Sequence, residues 1–137
     1  DVGCGNYASP TGIFDKLVLS GGTWTQTDCC GMECRYNTAG WLDRIRDSAG
    51  NTMTFTRNIH NHIEQIEDTQ GRLYTVAYTN SGVNQKFQSL TDFSGRQIVY
   101  TLDANGDLFK VRSPLVTGTP NGNDFPLGKT TLYGYSI

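Results

Sequence analysis

Long hydrophobic runs are missing from this 137-residue chain: none approaches the ~20 residues that cross a bilayer as a helix, so helical membrane insertion is not expected. An excess of one charge is missing too. Lys and Arg number 11 against 13 Asp and Glu, and the net charge of −2 supplies no basic footprint for nucleic acid or for an anionic membrane. Charged residues of either sign are few, at 18% against the usual ~25%. Gly, Thr, Asn and Ser fill their place, a mixture that favours turns and strands. Helical patterning is also lacking, because no stretch keeps an apolar i, i+3, i+4, i+7 stripe for three turns. What remains is long enough for one domain, able to bury roughly two-thirds of its unfolded surface. The chain begins at Asp1 without a leader pattern, as a mature secreted chain or a fragment would.

The stretch DTQGRLYTVAYTN, from Asp68 to Asn80, sets a turn-like tetrad, DTQG (Asp68 to Gly71), before an alternating run. The tetrad recurs as NTAG (Asn37 to Gly40), DSAG (Asp47 to Gly50), DFSG (Asp92 to Gly95) and DANG (Asp103 to Gly106). Asp or Asn at the first position accepts a hydrogen bond from the backbone ahead, and Gly at the fourth takes a positive φ, so each tetrad reads as a tight β-connection. Their uneven spacing, short, long, long, short, suggests turns at two levels of a sheet.

Strand-like segments lie between them. Leu17 to Thr27 reads as two strands about a Gly-Gly turn, and Trp41–Arg46 and Thr52–Arg57 alternate, the latter with Met53 and Phe55 on one face. Arg72–Thr79, Lys86–Thr91, Arg96–Leu102 and Leu108–Arg112 continue the series. His62–Glu67 fits one helical turn or an irregular strand, and its place before DTQG favours the strand. Thr117–Thr131 interrupts the rhythm with two prolines and reads as an ordered loop, with Phe125 docked on the sheet, before a last strand over Lys129–Ser136.

The four cysteines crowd toward the N-terminus as Cys4, Cys29, Cys30 and Cys34. An even count in this composition points to two disulfides in an oxidising compartment, with three pairings open. Adjacent Cys29 and Cys30 make a poor bridge, which leaves Cys4 to join one of them and Cys34 the other. A four-thiolate zinc site is the rival, but a lone Cys4 with a C-C-x3-C cluster does not present the paired knuckles such sites use.

Aligned with one another, GNTMTFTRN, GRLYTVAYTN and GRQIVYTLDANGDLFKVRSP share a Gly-Arg or Gly-Asn start, an alternating strand with an aromatic near its end, and a second strand closing on Asp-x-x-Gly. This unit resembles the YD repeat of Rhs and teneurin-like proteins over most of Cys34 to Pro114. Arg35–Leu42 resembles the start of one further unit and Gly128–Ser136 the strand of another. The resemblance implies an all-β fold of successive antiparallel β-hairpins forming a curled sheet, which in that family winds into a hollow shell. The organisation expected is therefore a disulfide-linked N-terminal cap or docking segment over 1–34, β-hairpin repeats over 35–115, and a Pro/Gly loop with a terminal repeat strand over 116–137. So few repeats make a strip with unpaired edges rather than a closed shell.

No catalytic constellation emerges, and no cofactor or metal is expected. His60 and His62 would share one face of a strand, yet no third ligand accompanies them. Asp103, Asn105 and Asp107 resemble part of a calcium loop but lack its frame and closing Glu. Carboxylate pairs such as Asp43 with Asp47, or Glu64 with Glu67, sit among arginines and turns, where ion pairing accounts for them. The function expected is a secreted structural β-repeat that builds a shell or fibre through strand edges, its partners being further copies of itself or adjacent repeats of a longer chain. The alternative is a carbohydrate-binding or adhesion module that stacks glycans on Trp24 and Trp41; Tyr and Phe on an alternating strand are otherwise packing residues.

Overall fold

The computed structural model describes residues 6–7, 9–79 and 84–135 and contains no helix among them. Among the described residues twelve strands follow one another: β1 (Asn6–Tyr7), β2 (Lys16–Ser20), β3 (Thr23–Thr27), β4 (Glu33–Tyr36), β5 (Leu42–Arg46), β6 (Thr52–Arg57), β7 (Ile63–Glu67), β8 (Leu73–Thr79), β9 (Lys86–Thr91), β10 (Gln97–Leu102), β11 (Leu108–Arg112) and β12 (Thr130–Leu132). They fall into two compact units, Asp1–Arg72 and Leu73–Ile137. Within the first unit, β1 to β7 pair antiparallel in chain order, and within the second, β8 to β12 do the same. The all-β expectation holds, and of the stretch His62–Glu67 the residues Ile63–Glu67 form strand β7, with His62 at the end of the turn before it. Pairing runs without a break from β2 through β5, so β4, which the sequence reading did not anticipate, carries the ladder across residues 34 and 35.

One turn chemistry recurs throughout. At Asp47 the backbone N–H donates to the Asn51 carbonyl, the Gly50 N–H donates back to the Asp47 carbonyl, and carboxylate Oδ1 accepts the N–H groups of Ala49 and Asn51 at 3.0 and 2.8 Å. The same four bonds form at Asn37, Asp68, Asp92 and Asp103, with Gly40, Gly71, Gly95 and Gly106 as the residues that donate back. They also form at Asp28 and Asn58. The geometry is a three-residue hairpin loop in which the fourth residue of the tetrad closes the turn in the left-handed region. Gly71, at φ 74°, closes the tetrad from which the repeat was first read, and the other four expected glycines hold the same region. Gly31 closes the Asp28 turn likewise, and the exception is Asn61, with φ 65°. With Asp28 and Asn58 included, the first unit turns about every ten residues, and the uneven spacing expected there disappears.

Alternation gives each sheet two unlike faces. In the first unit, Cys34, Ile45 and Met53 are successive cross-strand partners, as are Leu19, Trp24 and Tyr36, while the opposite face carries Thr25, Arg35, Arg44, Thr54 and Glu67. In the second unit, Val76, Leu90 and Ile98 line up on one face, and Ala77, Ser89, Val99 and Arg112 on the other. An aromatic ladder runs beside the first row, with Phe87 between Tyr78 and Tyr100 at ring separations of 6.3 and 4.7 Å. Among the described residues only Val76 and Ser89 are buried. The apolar rows are thus half-exposed rather than closed into a core.

Two expectations concern the ends of the chain. The disulfide-linked N-terminal segment is corrected: Cys29, Cys30 and Cys34 carry free thiols, and Cys4 lies outside the described residues. Cys34 is held in β4 between Gln26 and Ile45, whereas Cys29 and Cys30 occupy the exposed tip of the β3–β4 turn. The C-terminal loop is ordered. Val116 and Phe125 exchange backbone hydrogen bonds at 3.0 and 2.7 Å, Asp124 caps the N–H groups of Gly118 and Thr119, and Lys129 Nζ sits 4.1 Å from the Phe125 ring centroid.

Candidate functional site

The repeat turns are the most regular polar feature, and their carboxylates are engaged in structure. Partial burial opposes ionisation of Asp92, but hydrogen bonds from Ser94 and Arg96 outweigh it and hold the carboxyl at about 2. Asp68 is likewise lowered despite partial burial, by the Arg72 and Gln70 N–H groups and the Arg72 guanidinium. In both turns Arg follows Gly, as Arg72 after Gly71 and Arg96 after Gly95, and folds back on the carboxylate at 2.6 Å for Arg72 and 2.7 Å for Arg96. The Gly-Arg pair that carries the YD resemblance therefore has a local role as a clamp on the turn. Asn51 occupies the corresponding place after DSAG and donates to Asp47 at 2.7 Å, the chief reason that carboxyl too is lowered.

β-Bulges accompany the turns at Asn37, Asn58 and Asp103, between Arg35/Tyr36, Thr56/Arg57 and Thr101/Leu102. A bulge re-aims a side chain. At the first of these, Asp43 is brought against the Arg35 guanidinium in a two-bond pair at 2.8 and 2.9 Å. The Arg57 guanidinium spans the carbonyls of Asn61 and Leu42 and lies 5.3 Å from the centre of the Trp41 ring. Trp41 is thus covered on one face by a cation, while Trp24 lies in β3 opposite Leu19 and Tyr36. Trp24 belongs to β3, whereas Trp41 closes the Asn37 turn just before β5.

The His60 and His62 N–H groups both donate to Asn58 Oδ1, which places the pair in a turn rather than on one face of a strand. Asp103 Oδ1 is likewise taken up by the Asn105 and Asp107 N–H groups. A groove of about 480 Å³ in the second unit is lined by β9, β10 and the Asp103 turn, and its charged groups are Lys86 and Asp103 alone. It brings together no pair of carboxylates for acid and base roles.

The second unit ends in an open, apolar edge. Ser113 donates to the Lys129 carbonyl and Tyr133 to the Phe109 carbonyl, so the odd-numbered residues of the terminal segment face β11. The backbone groups of Thr130 and Leu132 point outward, and no described residue pairs with that side. Leu132 is 64% exposed and Tyr135 60%, with Leu127 at 78% nearby in sequence. No protein-family model and no curated protein matches the chain.

Two of the seven Asp- or Asn-capped turns among the described residues escaped the sequence reading. DCCG hides its Asp-x-x-Gly behind the cysteines, and NIHN ends in Asn instead of Gly. Spacing was the available signal, because Asp28, Asn37, Asp47, Asn58 and Asp68 follow one another at intervals of nine to eleven residues.

Proposed function

We propose that this chain is a secreted structural β-repeat segment, completed by association with further copies of itself or with adjacent repeats of a longer chain, through its sheet edge and half-exposed apolar rows. The observation that carries the proposal is incomplete burial. Among the described residues only Val76 and Ser89 are buried, and large apolar side chains such as Phe93, Phe109 and Leu132 are exposed. The outward backbone groups of β12 supply direction, since an extended segment added there continues the ladder. The resemblance of the Gly-Arg turns to YD repeats supports the same reading.

Light scattering on the chain and on Leu132→Pro tests it. The Leu132 N–H faces outward, so proline there removes a donor from the open edge without breaking a bond to β11. The unaltered chain is expected to form concentration-dependent assemblies and the variant to remain a folded monomer. A monomeric unaltered chain at every concentration rejects self-association, and assemblies unchanged in the variant reject the β12 edge as their route.

A further inference from the structure

The β3–β4 turn differs from the other six in what it displays. The first and fourth residues of each tetrad build the turn, and in five of the other six the two between them are left to the surface: Thr38 and Ala39, Ser48 and Ala49, Thr69 and Gln70, Phe93 and Ser94, Ala104 and Asn105 are all exposed, while in the Asn58 turn Ile59 is exposed and His60 half-buried. In Asp28–Gly31 these two display positions are both cysteine. Asp28 Oδ1 holds the loop through the N–H groups of Cys30 and Met32, each at 2.8 Å, and Gly31 closes it at φ 82°. The two sulfur atoms stand 3.8 Å apart, both thiols free and exposed.

We propose that Cys29 and Cys30 form a vicinal dithiol site for a soft, thiophilic centre that accepts two neighbouring thiolates and brings its remaining ligands with it. The separation is already suitable: thiolates bound at ~2.3 Å on adjacent vertices of a tetrahedron lie about 3.8 Å apart. A direct disulfide needs the sulfurs at ~2.05 Å with a dihedral near 90°, which adjacent residues in a tight loop meet poorly. The pair is therefore set for chelation more readily than for closing on itself. Among the described residues no group of three His, Cys, Asp or Glu is gathered for a metal, so the site suits a centre that needs only two protein donors. A monosubstituted trivalent arsenical is such a centre, as is a cadmium-class ion completed by water. The neighbouring Cys29 thiol and the Asp28 carboxylate push the Cys30 thiol upward, so binding must displace protons and tightens as pH rises.

Phenylarsine oxide is the probe. Two As–S bonds form, the arsenic–oxygen bond is lost as water with the two thiol protons, and nothing is oxidised or reduced. With the chain reduced and desalted, one equivalent is expected to remove two titratable thiols and add one phenylarsenic group, less two hydrogens, to the intact mass. Cys29→Ser and Cys30→Ser should each weaken capture by roughly 100-fold, the order of the effective-concentration advantage lost with the second thiol. A Cys4→Ser/Cys34→Ser double variant should retain full capture. The turn's own bonds run through Asp28 and Gly31, and circular dichroism on each variant checks the fold. Loss of capture in the double variant, or undiminished capture by either single variant, overturns the assignment.

Discussion

Asn61 holds the left-handed backbone at φ 65°, the conformation that glycine supplies in the other six turns. Asn is among the few side chains that tolerate this region, yet it retains a Cβ penalty that glycine lacks. Asn61→Gly is therefore expected to raise stability by a few tenths to about 1 kcal/mol, read as a higher denaturation midpoint with unchanged slope; a loss would show that the Asn61 side chain contributes more than its backbone costs. Asp92 yields a prediction with a definite pH window. Its folded carboxyl sits at about 2, below the ordinary 3.8, so the stability it adds is complete above pH ~4 and drains away as pH falls toward 2. Asp92→Asn keeps an oxygen for the Ser94 and Arg96 N–H groups but loses the Arg96 ion pair. The variant should be less stable at neutral pH and lose less stability between pH 4 and 2. Parallel acid-unfolding curves for the two proteins would remove Asp92 from the account.

Among the elements, β12 is the shortest strand with described side chains, and its attachment depends on Gly128. There φ is +73°, and a Cβ would run into the Ser113 carbonyl and its neighbours. Gly128→Ala thus combines a left-handed penalty of about 1–2 kcal/mol with a collision against backbone. It is expected to loosen β12 from β11, seen as faster hydrogen exchange of the Tyr133 amide, which donates to Phe109 at 2.9 Å. Gly106→Ala, where the added Cβ meets nothing within 4 Å, should incur the backbone penalty alone and leave Tyr133 protected. The strands themselves were largely legible in the sequence, for a local reason. Strict alternation marked Thr52–Arg57, and position in the series between turns marked Lys86–Thr91 and Leu108–Arg112, all with the bounds that the structure shows. β4 was obscured because Cys34 suggested a cross-link, while its strand character depends on pairing with Gln26 and Ile45, distant in sequence. The vicinal thiols were visible as letters, but their common turn became evident only once Asp28 was seen to cap it.

At the scale of the whole chain, alternation reveals that each sheet has an apolar row but not what covers it. Half-exposure of Ile45, Phe55, Leu90 and Ile98 leaves stability that association can supply, because a partner that binds the folded form and not the unfolded one shifts the equilibrium by mass action. An assembling chain should therefore melt at a temperature that depends on its concentration. For units of this size a change of 1 kcal/mol moves the midpoint by roughly 4–8 °C, and a tenfold dilution alters an association term by at most ~1.4 kcal/mol. A fall of a few degrees per tenfold dilution is expected, measured by calorimetry or intrinsic fluorescence over two decades of concentration. Leu132→Pro should flatten that dependence if edge addition is the main contact. Ile98→Lys, which places a charge in the apolar row, should flatten it if the faces meet instead. A midpoint independent of concentration would mean that the chain alone carries its full stability, and that any covering of the rows comes from adjacent repeats rather than from other copies.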